Sequence, residues 1–525
     1  MEKVQLLIAM IVYMLIVIGI GIYFARRSQK SSENYFLGGR SLGPWVTAMS
    51  AEASDMSGWL LMGLPGVAYW CGIADAMWTA IGLAVGTYIN WLIVSKRLRS
   101  YSVVSGNSIT VPDFLSNRFH EKKKVILGIS AGFIVIFFTV YAASCFVTCG
   151  KLFSDLFGFS YHSMMIVGAV FVLIYTILGG FLAESVSDFM QAIVMIIALV
   201  GVLGFGIFKA GGIGNVIENA KAIPGYFSLV NTATPTVDAN GVQLIENSAP
   251  VFGSASKYGL LTILSTLSWG LGYFGMPQVL LRFMAISKSD ELKRSRRIAT
   301  VWVLISLFAA VSIGVLGRYI LGTDAELVTA SSAENVFVHL AKLMFHPLIA
   351  GIVMAGILAA TISSSDSYLL IAASAVSKNV YAGIVKKKAS DKQIMILSRI
   401  ILVLITIVGV IIAWKENSVI FEIVSFAWSG FGATFGPIIL FSLFWKRTNR
   451  AGAIAGVLSG GISVFIWKLA LKPRGGIFGI YELMPAFIIS CIFIVAVSLL
   501  TEKPSEEIER EFETARNFKE TEIAG

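Results

Sequence analysis

The sequence predicts an all-α polytopic membrane protein with about thirteen transmembrane helices. Three observations carry that prediction. The 525 residues are 56% hydrophobic and only 14% charged, whereas soluble domains carry about 25% charged residues. Apolar stretches close to the roughly 20 residues that span a bilayer recur along the chain. The short alternating segments of a transmembrane β-barrel are missing from the pattern. A mean hydropathy of +0.79 agrees with this reading.

The first span, 4–24, is too long for the apolar region of a signal peptide, and no small-x-small cleavage site follows it. The next are 43–69, 72–94, 125–150, 162–182 and 188–208. A second group covers 257–286, 298–320, 344–377, 393–414, 418–445, 451–470 and 479–500. Residues 1–500 therefore read as one transmembrane domain. Residues 209–256 are polar and rich in Asn, Thr and Gly, and read as an external loop with room for a short helix. Residues 501–525 read as a short, charged, solvated tail, too short for a catalytic domain.

Loop cations set the orientation. One set of alternate loops holds Arg26, Arg27, Lys30 and Arg40, then Lys96, Arg97, Arg99, Arg118 and Lys122 to Lys124. It continues with Lys288, Lys293, Arg294, Arg296 and Arg297, then Lys386 to Lys388 and Lys392, then Lys446, Arg447 and Arg450. The opposite set has scattered cations such as Lys151, Lys209, Lys221 and Lys415. The expectation is a multi-pass protein of the cell membrane with its N-terminus outside and its C-terminus in the cytoplasm. The net charge of +10 is explained by residues that flank membrane spans, so nucleic acid is not an expected partner. The lipid bilayer is.

The four cysteines lie in or beside apolar runs. Cys145 and Cys149 share a helical face, but no His or further Cys joins them, so packing is the simpler reading than metal binding. Nothing resembles a nucleophile–base pair, a phosphate loop or a metal motif. His120, His162, His339 and His346 are scattered near loops. The protein is not expected to be an enzyme or to hold an organic cofactor, and no obligatory protein partner is evident.

Chemistry concentrates in three places. Ala51 to Trp59 carries Glu52, Ser54, Asp55, Ser57 and Gly58 inside the second span. A carboxylate at membrane depth costs roughly 2.5–3.5 kcal/mol on insertion scales. Asp55, with Gly58 and Gly63 nearby, predicts an interrupted helix whose backbone lines a cavity. Close helix packing explains the glycines but not the carboxylate. The second place is the ninth span, where Ala360, Ser363, Ser364 and Ser367 follow helical spacing and share one face. Hydroxyl rows offer a hard monovalent cation such as Na⁺ the oxygens it prefers; hydrogen bonding between helices is the alternative. The third is Trp269 to Pro277 in the seventh span. Trp269, Tyr273 and Pro277 recur every four residues and are expected to stack on one face. Gly270, Gly272, Gly275 and Pro277 predict a second broken helix, suited to a small amphipathic solute; the alternative is an interfacial aromatic belt, which the mid-span position disfavours.

Ala53 to Trp59, Gly179 to Leu182, Trp269 to Pro277 with Arg282, and the serines at 363–367 together resemble the sodium/solute symporter family, most closely its sodium/proline branch. The resemblance runs from about residue 5 to 500. It implies a LeuT-type core of two inverted five-helix repeats, about 43–208 and 257–445, in which spans two and seven are symmetry mates. It implies a sodium site built from the backbone carbonyls of Ala53, Met56 and Ala360 and the hydroxyls of Ser363 and Ser364. Asp55 matches an acidic residue needed for sodium coupling. Ser57, Trp59, Gly63, Tyr141, Trp269, Tyr273 and Pro277 match positions tied to substrate binding or access, and Arg40 matches an arginine that affects gating.

Some family members use a second sodium site. Here it would take Asp188 at the start of the sixth span, with Ser363, Asp366 and Ser367, near the cytoplasmic exit. The other reading leaves Asp188 and Asp366 solvated at the inner surface. The function implied is sodium-coupled symport of L-proline into the cell by alternating access, with Na⁺ as coupling ion. The residues themselves leave open H⁺ in place of Na⁺, and pantothenate, a sugar or a small carboxylate in place of proline.

Overall fold

A backbone without water to bond must bond itself, so the apolar stretches fold as helices. The computed structural model describes residues 2–28, 31–247, 249–322, 324–386 and 388–518. The loop cations Lys30 and Lys387, and the end of the tail with Glu520 and Glu522, lie outside the described residues.

Among the described residues, ten helices are long and apolar enough to cross a membrane. The chain begins with α1 (Glu2–Ser28), the pair α2 (Pro44–Asp55) and α3 (Leu64–Cys71), and α4 (Ile73–Ile89). A π-helical turn carries α4 on into α5 (Ser95–Val104), beyond the expected end at 94. Next come the short α6 (Val111–Arg118), α7 (Val125–Phe157) and α8 (Tyr161–Lys209). A second interrupted pair, α9 (Leu260–Leu267) and α10 (Pro277–Ala285), precedes α11 (Leu292–Leu321), the short α12 (Val336–Met344) and α13 (Pro347–Ser374). The chain closes with α14 (Asp391–Ile412), α15 (Ile420–Phe444), α16 (Arg450–Ile466), α17 (Leu483–Leu500) and α18 (Glu506–Asn517).

Two crossings are interrupted where the polar and small residues fall. Pro44, whose missing N–H costs nothing in the first turn, starts α2. The helix stops at Met56 (φ −90°, ψ 81°) and resumes through a π-helical turn, Trp59–Gly63, into α3. In the seventh crossing a 3₁₀ segment, Ser268–Phe274, follows α9, and Met276 (φ −74°, ψ 107°) is extended before α10 begins at Pro277. A third break sits inside α8. Gly180 adopts φ 64°, ψ 178°, a region open to glycine alone, so the expected fifth and sixth spans are one run bent there. Asp188 consequently lies within the second limb of α8 rather than at its start.

α13 and α15 are the most buried of the long helices, while α1, α14, α16 and α17 turn most of their surface outward. α13 packs against α8, α1 and α7. The broken crossings approach α4 and α11 without intervening side chains. A Cβ on Gly86 of α4 would collide with the Gly270 backbone, and one on Gly314 of α11 with the Pro65 carbonyl. Small residues permit such contacts between membrane helices.

Residues 209–256 form more than a loose loop. They hold a helix, Ile213–Ala222, and short strands that pair Asn231–Thr232 with Ser256–Lys257 and Ile245–Glu246 with Ala249–Pro250. The Tyr226 hydroxyl donates to the Tyr69 carbonyl at 3.1 Å, and the Thr232 hydroxyl to that of Cys71 at 2.9 Å. The segment therefore caps the end of α3.

The tail is not simply solvated. α18 is amphipathic and lays Phe512 and Ala515 against the protein. Phe512 sits 5.0 Å from the Arg97 guanidinium and 5.4 Å from that of Arg118. His120 lies 3.8 Å from Glu507 and 2.5 Å from Glu511. One apolar ring and two carboxylates on one helical face dock it, a pattern that a count of charged residues hides.

Candidate functional site

The breaks in the second and seventh crossings meet at Asp55. Its carboxylate accepts from the Tyr273 hydroxyl at 2.8 Å on one oxygen and from the Gln278 amide at 3.4 Å on the other. These two donors flank the break at Met276, so one carboxylate holds both sides of the opposite broken helix. The Asp55 carbonyl, freed where α2 ends, accepts from the Tyr141 hydroxyl at 3.2 Å, from Trp59 Nε1 at 3.3 Å and from the Tyr368 hydroxyl at 3.5 Å. Tyr141 and Tyr368 stack at 4.2 Å. All of these groups are buried.

Just before Asp55, the Ala53 carbonyl faces the serine row of α13. Ser363 Oγ donates to it at 2.8 Å and Ser364 Oγ at 3.2 Å. Ser363 Oγ also reaches the Ala360 carbonyl at 3.2 Å. Ala53, Ala360, Ser363 and Ser364 thus come together as oxygen donors only, the set a hard monovalent cation prefers. Met56 is the residue at which α2 breaks, and its sulfur accepts from Ser306 at 3.7 Å. The Asp55 carboxylate is engaged instead with the seventh crossing.

An aromatic wall stands over the breaks. Trp269 lies 6.3 Å from Trp59, 5.9 Å from Trp428, 5.2 Å from Phe421 and 5.1 Å from Tyr481. Tyr273 meets Trp428 edge-on at 5.0 Å. Gly63 lies in the π-helical turn, where an added Cβ would be 3.3 Å from Trp59 and 3.4 Å from Phe421. Ser57 Oγ and Gln278 Oε1 are buried with no hydrogen-bond partner among the described residues. A cavity of about 540 Å³ opens beside Trp269, Phe421 and Tyr481. Pro277 does not join this wall. A 3₁₀ turn holds three residues, and Met276 is extended, so spacing by four does not carry one face past the break. Pro277 lines a separate small cleft with Leu281 and Ile134.

Below the serine row, Arg282 of α10 is fully buried. Its guanidinium donates to Ser50 at 3.0 Å, to Asp188 at 3.1 Å, to Ser367 at 2.9 Å and to Glu184. Ser50 donates to Asp188 at 2.7 Å, and Ser367 to Glu184. Asp188 and Ser367 therefore meet, but around a cation the protein supplies itself. Asp366 accepts from the Ser367 amide at 2.8 Å. Asp188 and Asp366 are 0% and 1% exposed, which removes the reading of both as solvated. One oxygen on each of Glu184, Asp188 and Asp366 is buried without a hydrogen-bond donor among the described residues.

At the opposite end from the aromatic wall, Arg40 donates to Ser102 at 3.2 Å, to the Ser108 carbonyl at 2.7 Å and to the Met284 carbonyl at 2.5 Å. It ties the end of α10 to α5 and the loop beyond it. Near the wall, Lys151 and Glu334 form a buried pair at 2.7 Å. Glu334 also accepts from the amides of Ile420 and Phe421 at 2.9 and 3.0 Å, at the start of α15.

Sequence reading missed Tyr368, Gln278, Trp428 and Glu184. Two had a signal. Tyr368 follows Ser364 by four residues, and Glu184 precedes Asp188 by four, so each shares a helical face with a residue already singled out.

A sequence model of the sodium:solute symporter family matches residues 35–460. The chain is 40% identical, over 520 residues, to the sodium/proline symporter of Staphylococcus aureus strain USA300 / TCH1516. That match covers 98% of this chain and 96% of the relative; the symporter of strain JH9 matches to the same extent. Among solved structures, the substrate-bound outward-open state of a Na⁺-coupled sialic acid symporter is similar with a TM-score of 0.76 at 18% identity. It covers 96% of this chain and 99% of its own. The complex of MhsT with L-phenylalanine has a TM-score of 0.51 at 14% identity, covering 86% of this chain and 98% of its own.

Proposed function

Because the chain belongs to the sodium:solute symporter family, we propose that it carries L-proline into the cell, driven by sodium. The observation that supports this most is the convergence on the break at Asp55. Ala53 on one side faces the hydroxyls of Ser363 and Ser364, and the Asp55 carboxylate holds Tyr273 and Gln278. A cation at Ala53 and a solute beside Tyr273 would share one short stretch of backbone, which is what coupling requires.

In this reading the basic loops are cytoplasmic, the N-terminus is outside, and the aromatic wall faces outward. Na⁺ arrives from outside and is held by the carbonyls of Ala53, Met56 and Ala360 and the hydroxyls of Ser363 and Ser364. It orders the broken second crossing against α13. The substrate carboxylate then meets the N–H groups at the start of the half-helix after Gly58, where the helix dipole favours an anion. Ser57, Trp59, Tyr141, Trp269 and Tyr273 surround its ring. Release of the Arg40 clamp opens the cytoplasmic side. Each Na⁺ moving inward gains about 2.3 kcal/mol per 100 mV of membrane potential. A second cation at Asp188, Asp366 and Ser367 has to displace Arg282 from Asp188 before it can bind.

Uptake of labelled proline into proteoliposomes under an imposed Na⁺ or H⁺ gradient tests the proposal. Uptake should require the Na⁺ gradient. Uptake driven by H⁺ alone, or transport of another solute in place of proline, overturns it.

A further inference from the structure

We propose that Asp155, Glu326 and His339 form a binding site for a divalent transition-metal ion of the Zn²⁺ type. The site lies at the end of the molecule opposite Arg40. Three separate elements build it: the last turns of α7, the loop after α11, and α12. His339 Nε2 is 2.9 Å from Asp155 Oδ1 and 3.5 Å from Glu326 Oε2. The three ligand atoms lie within 4.8 Å of one another. Metal–ligand distances near 2.0–2.2 Å put neighbouring donors of a tetrahedral site a little over 3 Å apart, so His339 and Asp155 would exchange their hydrogen bond for bonds to the ion by parting slightly.

The outer partner of the histidine is also in place. His339 Nδ1 faces Asp324 Oδ2 at 2.8 Å. A carboxylate on one ring nitrogen fixes the tautomer and turns the other nitrogen toward the metal. Asp155 is the ligand with spare capacity. Its side chain is 10% exposed, and its second oxygen is buried with no hydrogen-bond donor among the described residues. Lys342 pairs with that oxygen at 3.6 Å, a long ion pair that a bound ion would replace. Glu326 is 72% exposed and supplies the path from solvent, while water completes the coordination.

Chemistry selects the ion. One imidazole nitrogen and two carboxylates suit a borderline metal such as Zn²⁺ and separate this cluster from the all-oxygen set at Ala53. Bound metal would fasten α12 to the end of α7. The segment leading into α12 carries Glu334, which already bridges Lys151 and the start of α15. The ion would therefore brace the rim of the cavity beside Trp269.

The test is titration of the purified full-length protein with Zn²⁺ alone, followed by calorimetry. One saturable site is expected. Glu326→Gln should weaken it at least about tenfold, Asp324→Asn by about 10–100-fold, and His339→Gln should remove it. The exposed position of Glu326 keeps the test usable if His339→Gln does not fold. X-ray absorption of the loaded protein should show nitrogen and oxygen neighbours only. The proposal fails if Zn²⁺ shows no saturable binding, if the Glu326→Gln and His339→Gln proteins bind as tightly as the parent, or if sulfur appears in the coordination shell. A histidine that serves only as a cation between carboxylates gives the first of these results.

Discussion

The Tyr273 hydroxyl donates to the Asp55 carboxylate at 2.8 Å, the shorter of two buried hydrogen bonds by which that carboxylate joins the interrupted crossings. Such bonds contribute about 1.5–3 kcal/mol, and each 1.4 kcal/mol is about tenfold in an equilibrium constant. Tyr273→Phe should therefore raise the half-saturating Na⁺ concentration by about 10–100-fold. Proline uptake at graded Na⁺ measures it.

Asp55→Asn keeps the shape of the side chain and removes its charge. Since the carboxylate holds Tyr273 and Gln278 while the proposed cation site is made of carbonyls and hydroxyls, loss of charge should loosen the seventh crossing as well as weaken Na⁺ affinity. Uptake should fall at least about tenfold, by the energy of one charged hydrogen bond. Wild-type Na⁺ affinity in this variant would mean that the charge does not couple the ion.

The serine row separates the hydroxyl from the residue that carries it. Ser363→Ala and Ser364→Ala each remove one oxygen near the Ala53 carbonyl, and each should raise the Na⁺ requirement by about tenfold. Ser364→Thr retains the oxygen and should stay close to the parent. The same uptake assay distinguishes them, and equal effects of Ala and Thr at position 364 would count against hydroxyl ligation.

Lys151 and Glu334 are 6% and 1% exposed, so neither charge can recover by solvation when its partner is lost. Lys151→Ala leaves Glu334 without its cation, held by the two amides at the start of α15, and should destabilise the protein by up to about 3–5 kcal/mol. Thermal unfolding in detergent reads this as a lowered midpoint.

Phe512 is the ring that seats the tail helix, and burial of a phenylalanine is worth about 3–5 kcal/mol against alanine. Phe512→Ala should release α18 and let it unwind, so that trypsin cuts at Arg510 and Arg516, whose side chains are exposed even on the docked helix, with the membrane domain left intact. Limited proteolysis followed on a gel checks both halves of that statement.

How much of this was legible beforehand follows from the range of each signal. The breaks at Asp55 and before Pro277 were legible because small and polar residues interrupt an apolar run, a local pattern. The serine face was legible because helical period is local too. What escaped needed a partner from elsewhere in the chain. Arg282 gave no hint that it gathers Glu184, Asp188, Ser50 and Ser367, since these come from three other helices. Phe512 is one aromatic residue in a charged tail until Arg97 and Arg118 are brought beneath it. Pro277 was placed on the wrong face because the period of an α-helix was carried through a segment that is not one.

The indoles around the break have an optical consequence. Trp59 and Trp428 each lie about 6 Å from Trp269, close enough for their excited states to couple and to give the protein a near-ultraviolet dichroism unlike that of separated tryptophans. Any movement of either interrupted crossing changes those separations and tilts. The protein thus contains its own chromophore for following the rearrangement, with no label attached.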